Sequence, residues 1–584
     1  MLAGLAAGAL ALSACSTDDG GGGAAGSRSI TIAATNPLTS LNSNNSEGNL
    51  VENGMVQFLT NQSSSFGYGS FHILDENFVL DPQEQIGSVE QLSEDPLRVR
   101  YTLAEDLEWS NGEPITNIDM LFAWLVNSGW ADDAELDADS GEVTGGTVYF
   151  ALAGSTTGLD TTDMPELGDD GRSLTLTYAE PYVDWELVNP IDLPAHVMAD
   201  EVDMTLEELE TFIREIPRGD PAAPAQVNAP LRAIADFWNT GYSGNEMPED
   251  ERLTVASGPF KVVDMVPMQS VTLQKNDRYP GADDIQFDEL VIRFIGDANA
   301  QITALRNEEV DAIYPQASAD TLTALEDLDV TILTGDEVGY DHLDLNFASE
   351  PFRDRDTREA FLRTVPRQQI LDSIVKPVNP DAEVLNSQIF VPENAPYAES
   401  TARNGYDAFT EPDLDRAREL LGGATPTVKI LYNNENPNRV DSFQAIKNSA
   451  EQAGFVIEDG GSPDWSQLLS AGDYDASIFG WSMPGIGSAS LPQLFTVGGG
   501  GNYNNYSNAE VETLVDESQR SLDPARVEEI KVLIDTATAT DRFGLPLFQL
   551  PGIFAHNDRV VGIEYFGGQQ NIIRNAPEWS LSAQ

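Results

Sequence analysis

The chain of 584 residues contains a single cysteine, Cys15. No disulfide bond can therefore form within one chain, and a compact fold has to depend on core packing alone. Hydrophobic residues make up 41% of the sequence and charged residues 22%, which is typical of a globular protein and excludes a wholly disordered one. At roughly one domain per 150 residues, this length predicts a fold of several lobes.

Cys15 lies between a short apolar run and a glycine-rich stretch. The run, residues 2–12, is too short to span a bilayer and has the length of a signal-peptide core. With the small residues 13–14 before the thiol, the pattern resembles the lipobox of bacterial lipoproteins. The resemblance implies a signal peptide and lipobox over residues 1–15, with cleavage before Cys15, diacylation of its thiol and a lipid anchor. Residues 16–28 then predict a flexible tether that reaches roughly 20 Å. The alternative, a buried or incidental cysteine, is disfavoured by the glycine-rich flank.

The charge balance is strongly acidic. The sequence has 31 Lys+Arg against 96 Asp+Glu, which gives a formal net charge of -65 and a pI near 4.1. Such a surface repels nucleic acid and anionic lipid headgroups, so neither is expected as a partner. It could collect cations or cationic peptides, but the simpler interpretation is that it keeps an exported protein soluble.

After the apolar run at residues 2–12, no segment has the roughly 18 consecutive apolar residues of a membrane-spanning helix.

A strand, a turn and a helix are predicted within residues 97–129. Apolar residues alternate over 97–103, and Asn111-Gly112 is typical of a tight turn. Thr116, followed three residues later by Asp119, predicts the N-cap of an amphipathic helix. The same reasoning predicts a first strand over residues 29–34 and a second capped helix over residues 205–216.

The second half alternates between the two periodicities. Strands are predicted over residues 428–432, 455–457 and 474–479, with a helix over residues 441–453 that Gly454 ends. Strands that alternate with helices indicate a parallel α/β lobe, and such lobes bind ligands at the carboxyl ends of their strands. Four residues occupy such an end: Gly480, Trp481, Ser482 and Met483.

Motifs for catalysis and metal binding are weak. The four histidines, His72, His196, His342 and His556, are scattered without paired spacing. Neither a GxSxG nor a GxxxxGK[ST] motif occurs. The segment 137–142 (DADSGE) faintly resembles a calcium loop but lacks the terminal glutamate, so a solvated acidic loop is the better interpretation. We therefore predict no enzyme activity, no metal and no cofactor.

Seven short motifs follow one another along the sequence. In order, they are the run from Tyr101 through Trp109-Ser110-Asn111-Gly112-Glu113-Pro114-Ile115-Thr116 to Asp119, Ser257-Gly258-Pro259-Phe260-Lys261, residues 305–311 (LRNEEVD), the segment from Asn346 to Arg367, residues 414–421 (LDRARELL), Tyr474-Asp475-Ala476 with Gly480-Trp481, and Leu545-Pro546-Leu547. This series resembles the family 5 extracellular solute-binding proteins, the receptors of ABC importers for oligopeptides, dipeptides and nickel. The resemblance spans almost the whole mature chain.

The resemblance implies an α/β periplasmic-binding-protein-like fold of the large, three-lobed peptide-receptor type, with a hinge between two α/β lobes. The expected divisions are lobe I at 29–70, 190–293 and 545–584, lobe II as an insertion at 71–189, and lobe III at 294–544, with hinge crossings near Phe294 and Gly544. A small solute or peptide would bind between lobes I and III. A monomer on the outer face of the cell membrane, working with ABC permease subunits, is expected.

The resemblance also implies ligand-contacting residues. In the family, the aromatic residue after the glycine of this strand packs on the ligand, which points to Trp481 with Gly480, Ser482 and Met483. Asn346 and Tyr503 are further candidates, as is Tyr506. For Trp481 the alternative is a core tryptophan, for Asn346 a turn, and for the tyrosines a surface cover.

The sequence departs from the family directly after Trp481. The family commonly places an acidic residue there to hold a peptide ammonium, whereas this chain continues Ser482-Met483-Pro484-Gly485-Ile486-Gly487. Either another acid supplies the charge or the ligand lacks a cationic end. The departure also permits an alternative function, in which a lipoprotein of the same fold binds glycolipid or protein partners during envelope assembly.

Overall fold

The computed structural model describes residues 28–61, 66–76, 78–136, 143–154, 156–482, 487–488 and 490–582. The predicted lipid anchor at Cys15, residues 16–27 of the predicted tether, the acidic 137–142 segment and Met483 lie outside the described residues. Within the described ranges, no helix combines the length and the apolar character needed to cross a membrane.

The strands of the described chain fall into one large sheet and several small ones. Their bounds are β1 Ser29–Ala34, β2 His72–Leu74, β3 Leu80–Pro82, β4 Gly87–Glu94, β5 Leu97–Leu103, β6 Glu135–Leu136, β7 Val143–Gly145, β8 Glu166–Leu167, β9 Ser173–Thr177, β10 Phe260–Val266, β11 Ser270–Lys275, β12 Glu289–Phe294, β13 Ala312–Ile313, β14 Thr331–Leu345, β15 Thr427–Asn433, β16 Val456–Ser462, β17 Ala476–Ser482, β18 Gly544–His556, β19 Val560–Val561 and β20 Ser580–Leu581.

The helices cover the sheets and join their strands. Their bounds are α1 Val51–Thr60, α2 Asn117–Ser128, α3 Ala195–Asp200, α4 Leu206–Glu215, α5 Ala229–Asp236, α6 Ala298–Arg306, α7 Ala319–Glu326, α8 Arg355–Leu362, α9 Arg367–Ile374, α10 Tyr397–Asn404, α11 Leu414–Leu421, α12 Pro437–Ala453, α13 Trp465–Ala471, α14 Ser490–Phe495, α15 Ala509–Arg520 and α16 Pro524–Asp541.

The large sheet is mixed. In the part of the chain that the structure describes it has ten strands in the order β10-β11-β12-β1-β13-β18-β14-β17-β15-β16. The predicted parallel arrangement is confirmed locally, because β15 runs parallel to both β16 and β17. The antiparallel neighbours of β14 were not anticipated.

Two long antiparallel strands, β14 and β18, connect the halves of this sheet. Residues 331–336 of β14 pair with 551–556 of β18, and residues 340–344 pair with 544–549. The register shifts between Asp336 and Tyr340. Each strand therefore passes from one half of the sheet to the other at an irregular segment, which is the kind of place where a hinge forms.

Packing bears on the expected lobe boundary near Phe294. Helices α6 and α7 share an apolar cluster with Ala33 of β1 and Ile553 of β18. Residues 298–326 therefore share their apolar core with the first half of the sheet. The division into lobes stays a prediction, and we propose that lobe III begins where β14 crosses, within residues 336–340.

A second sheet lies inside the predicted lobe II. Its strand order is β4-β5-β9-β8, and α2 packs on it. The predicted capping box is confirmed: Thr116 caps α2 by accepting from Ile118 N, while Asp119 accepts from Thr116 N at 2.8 Å. One continuous apolar core joins this sheet to lobe I.

The predicted elements of the second half are confirmed with shifted ends. Helix α12 begins at Pro437, four residues before the predicted start, because the side chain of Asn436 accepts from the first free N–H groups and proline fits the first helical position. Strand β17 begins at Ala476, two residues later than predicted, since Asp475 is turned to bind Lys429 N at 2.8 Å through its carboxylate.

Candidate functional site

The predicted site residues lie at the carboxyl end of β17. Across the antiparallel pair with β14, Trp481 lies opposite Tyr340 and Gly480 lies opposite Asp341. Ser482 contributes its backbone to the same pair, opposite Gly339. Because side chains alternate along a strand, Trp481 and Gly480 face opposite sides of the sheet.

Trp481 forms the centre of an aromatic stack. Its ring is parallel to that of Tyr503, with centroids 6.2 Å apart and 7° between the planes, and to that of His342 at 6.3 Å and 15°. Phe479 meets its edge at 5.5 Å. Trp481 is half-buried against two apolar clusters, so one part of the ring is packed and the rest faces outward. Two of the predicted site residues, Trp481 and Tyr503, thus lie in direct contact.

The other face of the strand end carries a charged pair. The guanidinium of Arg439 donates to both carboxylate oxygens of Asp341, at 3.3 and 3.2 Å, and lies over the ring of Trp465 at 5.2 Å. Both charged side chains are largely withdrawn from water. A Cβ atom at Gly480 would lie 2.7 Å from the Asp341 carboxylate, which explains why a glycine occupies this position.

Asn346 holds a turn. Its amide donates to the carbonyl oxygens of Tyr474, at 3.0 Å, and Gly472, at 3.3 Å, while its Oδ1 accepts from Ala348 N at 3.0 Å and from Asn505. These contacts agree with the alternative prediction for Asn346, that its side chain fixes a turn. Its predicted contact with a ligand stays a prediction.

The two tyrosines of the 498–506 segment differ. The backbone oxygen of Tyr503 accepts from the Tyr474 hydroxyl at 2.8 Å, and its half-buried ring stacks on Trp481. Tyr506 is buried and donates its hydroxyl to Asp541 at 2.7 Å. Tyr503 is therefore near the candidate site, whereas Tyr506 belongs to the core beside it.

A cavity of about 450 Å³ opens beside this strand end, within the size range of small-molecule sites. Its wall includes Tyr340, which lies opposite Trp481 in the sheet, and Val338, whose N–H donates to the carbonyl of Gly567 in the C-terminal segment. The lining residues are Val338, Tyr340, Ile389, Phe390, Val391, Asn394, Ala395, Pro396, Gly487, Ser490, Leu491, Glu528 and Lys531. The cavity thus lies where β14 passes between the halves of the sheet.

One buried carboxylate fixes the far wall of this cavity. Asp535 of α16 accepts hydrogen bonds from Ser387 Oγ at 2.8 Å, Gln388 N at 3.0 Å, Asn404 Nδ2 at 2.8 Å and the Ser400 hydroxyl. The pKa of Asp535 is raised above its ordinary value because burial outweighs the opposing effect of these hydrogen bonds. The four donors lie before and after residues 389–396 in the sequence. The network therefore holds the cavity wall formed by residues 389–396 against α16.

Glu337 lies at the crossing itself. Its carboxylate accepts from the Tyr314 hydroxyl at 2.8 Å, and its backbone oxygen accepts from the Gln549 side chain at 3.1 Å. Burial raises the pKa of Glu337 to about 7, the hydrogen bond from Tyr314 opposes the shift, and the charge of Asp341 adds to it. A carboxyl group near neutrality therefore occupies the irregular segment of β14.

Beside the cavity, residues of predicted lobe II contact the half of the molecule that carries the cavity. The carboxylate of Asp184 accepts from Ser488 N at 2.7 Å, Val183 N donates to the carbonyl of Gln519, and Arg520 pairs with Glu180 at 2.7 Å. The segment after the predicted site is therefore joined to lobe II.

Sequence reasoning missed Arg439, Glu337, Glu528 and Lys531. Arg439 had a usable signal, because it opens a capped helix directly after a parallel strand, where ligand-facing groups collect. Glu528 and Lys531 had none, because their spacing of three is that of an ordinary surface ion pair on a helix. Within the described ranges, no group of three or more metal-ligating side chains is brought together.

Two halves of one sheet are thus joined by two crossing strands, with a cavity at the crossing. Residues 83–503 match the model of the bacterial extracellular solute-binding proteins, family 5 Middle. The chain therefore belongs to family 5 of the extracellular solute-binding proteins.

Known proteins similar to the chain include receptors of this type. The oligopeptide-binding protein OppA of Mycobacterium tuberculosis (strain ATCC 25618 / H37Rv) is 23% identical over 488 residues, which cover 80% of this chain and 72% of OppA. The solved periplasmic EDTA-binding protein EppA superposes with a TM-score of 0.78 at 22% identity, covering 95% of this chain and 97% of EppA. The Bacillus subtilis AppA complex with a nonapeptide superposes with a TM-score of 0.70 at 17% identity, covering 95% and 99%. The predicted periplasmic-binding-protein-like fold of the peptide-receptor type is confirmed.

Proposed function

We propose that this protein is the substrate-binding receptor of an ABC importer and captures a peptide or peptide-like solute between its lobes. The observation that carries the proposal is the cavity of about 450 Å³ at the strand crossing, whose lining residues lie on β14 and elsewhere in predicted lobe III, within residues 338–531. A solute bound there would touch the strand that joins the two halves of the sheet, and closure would bring the opposite lobe against it. Binding would therefore favour the closed form, which a permease can distinguish from the open one.

The family and the relatives support a peptide as the first solute class to test. OppA is named for oligopeptides and AppA was solved with a nonapeptide. EppA is named for EDTA, so a compact anionic chelate is the second class. The aromatic stack at Trp481 suits either class, because aromatic faces bind apolar groups and planar ligand surfaces without requiring one functional group.

We propose in addition that Cys15 carries the lipid anchor and that residues 16–28 tether the lobes to the membrane. Two acyl chains give stable anchoring, whereas a single chain gives marginal binding. In Cys15→Ala, the protein should move from the membrane fraction to the soluble fraction. A membrane fraction unchanged by this substitution would contradict the anchor while leaving the receptor function standing.

The test of the receptor function is native mass spectrometry of the protein purified from its own cells, followed by titration. A co-purifying small molecule of defined mass is expected, and its return to stripped protein should change tryptophan fluorescence, because Trp481 lies beside the cavity. A flat titration across peptides, oligosaccharides and metal chelates, with no co-purifying mass, would contradict solute capture and favour the envelope-assembly function.

A further inference from the structure

Predicted lobe II contacts the outer side of one wall of the cavity at the strand crossing. Gly487 lines the cavity, and its neighbour Ser488 donates its backbone N–H to the carboxylate of Asp184 at 2.7 Å. Gly487 lies so close to lobe II that a Cβ atom there would be 2.5 Å from Leu187 Cδ1. Asp184 and Ser488 are both buried. A buried carboxylate of lobe II therefore fixes the backbone of a residue next to the cavity wall.

Gln519, near the end of α15, takes part in the same contact. Its side-chain amide donates to the carbonyl of Ser488 at 3.0 Å, and its backbone carbonyl accepts from Val183 N at 2.9 Å. Both backbone groups of Ser488 are thus engaged, one by lobe II and the other by a residue that itself binds lobe II. Leu522, three residues further along the chain, packs against the apolar core that predicted lobes I and II share. Lobe II therefore holds both the cavity wall and the end of α15.

An exposed ion pair lies beside these buried contacts. Arg520 pairs with Glu180 at 2.7 Å and with Asp516 of its own helix at 2.9 Å, and the three side chains are 47–58% exposed. Water and salt screen such pairs, so they contribute little. A hydrogen bond from a backbone N–H to a buried carboxylate is stronger, because one partner is charged and water does not compete for it. Asp184 is therefore the main element of the contact and Arg520 a minor one.

These contacts join surfaces that the proposed hinge can separate. Asp184 and Ser488 are 304 positions apart in the chain, whereas the two halves of the large sheet are connected through β14 and β18. A rotation at the crossing would break the contact without straining the backbone. A second cavity of about 370 Å³, lined by residues from 157–182 and from 492–520, already lies between the two surfaces. Incompletely packed, polar surfaces of this kind are typical of domains that move relative to each other.

We propose that Asp184 is a latch: it holds predicted lobe II against the half of the molecule that carries the cavity, favours the closed form, and releases Ser488 when the hinge opens. Asp184 acts through Ser488, next to the cavity wall, and is therefore a positioning residue. The inference rests on the hinge motion of the proposed receptor function. It gives lobe II a role in that motion, which is to set how long the closed form lasts.

The distance between two spin labels tests the latch without any solute. Asp169 of lobe II and Thr513 of α15 are exposed, and each is replaced by cysteine in the Cys15→Ala chain, whose other residues include no thiol. Pulsed electron paramagnetic resonance then measures the distribution of distances between the labels. Asp184→Ala should raise the ratio of long to short distances about tenfold, the effect of losing a charge-assisted hydrogen bond. Arg520→Gln should change the ratio by less than about twofold.

Asp133 provides the matched control. It is a buried carboxylate of lobe II that accepts from Thr147 N at 2.8 Å and from Ala225 N at 2.6 Å, away from α15 and Ser488. Asp133→Ala removes comparable hydrogen bonds and should lower the thermal stability, but it should leave the distances between the labels unchanged. Asp184→Asn keeps one oxygen acceptor for Ser488 N and should give a ratio between those of the parent and Asp184→Ala.

The outcomes separate the latch from the receptor function. Equal distance distributions in the parent and in Asp184→Ala, or an equal shift in Asp133→Ala, would overturn the latch, and a working solute titration would then leave solute capture standing. A shifted distribution in Asp184→Ala alone, beside a flat solute titration, would support the latch and remove the receptor function. One narrow distance common to all variants would overturn both the latch and the hinge.

Discussion

Two buried carboxylates, Asp119 in the block formed by predicted lobes I and II and Asp535 in the half that carries the cavity, organise their surroundings differently. In the block, large apolar side chains such as Trp109, Trp238 and Trp579 are fully buried in one continuous core. A buried carboxylate there, Asp119, serves helix ends, accepting from Thr116 N and from Ala195 N. In lobe III, buried Asp535 instead ties together residues more than 130 positions away.

The difference follows from what each half has to do. Apolar packing is non-directional, and it is sufficient to stabilise a part of the molecule that only has to stay rigid. A cavity wall needs a fixed orientation, and hydrogen bonds to a buried charge provide that orientation at the cost of desolvation. Substitutions in the apolar core of the block should therefore change stability alone, while substitutions in the lobe III network should change stability and binding together.

The largest loss of stability is expected in the apolar block. Trp238 is fully buried, meets Phe150 edge to face at 5.6 Å and donates to Asp192 at 3.3 Å. Trp238→Ala should lower the free energy of unfolding by about 3–5 kcal/mol. Urea denaturation measures the loss, and Trp238→Phe should cost less. Solute affinity of the remaining folded protein should match wild type; a weaker affinity would contradict the separation between the two halves.

The next effect is expected at Asp535. Asp535→Ala leaves four buried donors without their acceptor and should lower the free energy of unfolding by about 3 kcal/mol. Unlike Trp238→Ala, it should also weaken solute binding by about tenfold, because the wall at residues 389–396 loses its anchor. Calorimetry on the folded protein measures this second loss. Asp535→Asn keeps one oxygen acceptor and should fall between wild type and alanine.

Local structure was predictable where one short pattern decides it. Strand β1 covers the predicted residues 29–34, and α4 begins after Thr205 as its capping box requires. These elements depend on alternation or on contacts three residues apart, which the sequence displays directly. The position of Trp481 at a strand end followed from the same patterns together with the family resemblance.

The crossing and the cavity were not predictable in this way. β14 is fifteen residues long and pairs with β18, more than two hundred positions away. Its two ends pack against different apolar clusters, and only the C-terminal end is fully buried, so no single inward face marks the crossing at 336–340. The cavity joins Tyr340, Pro396 and Lys531, and nothing local to any of these residues indicates that they share one wall.

A smaller effect, and one that depends on pH, is expected at Glu337. Its folded pKa of about 7 lies above its ordinary value of 4.5, so the folded state holds the proton more tightly than the unfolded chain does. Its favourable contribution is complete below about pH 4.5 and is lost as the pH rises through 7. Glu337→Gln should remove this loss and be more stable than wild type at pH 8 by about 2 kcal/mol.

The control for Glu337 is an exposed acid, Glu411. Glu411→Gln should follow the wild-type stability curve between pH 5 and pH 8, apart from a small uniform change in charge repulsion. Equal pH dependence in wild type and Glu337→Gln, measured by urea denaturation across this range, would show that the hinge carboxyl titrates like an ordinary glutamate.

The smallest effect concerns the contact of Trp481 with Tyr503, at the border between packing and binding. Parallel rings at 6.2 Å should be coupled by about 1 kcal/mol, which a double-mutant cycle of Trp481→Leu and Tyr503→Leu measures in urea denaturation. A control cycle of Trp481→Leu with Phe409→Leu should give no coupling, because Phe409 is a buried ring that stacks against Arg363 instead.

Solute affinity tests whether Trp481 also contacts the solute. If it does, Trp481→Leu should reduce solute affinity more than Tyr503→Leu does. Equal affinities would assign Trp481 to the core rather than to the ligand site.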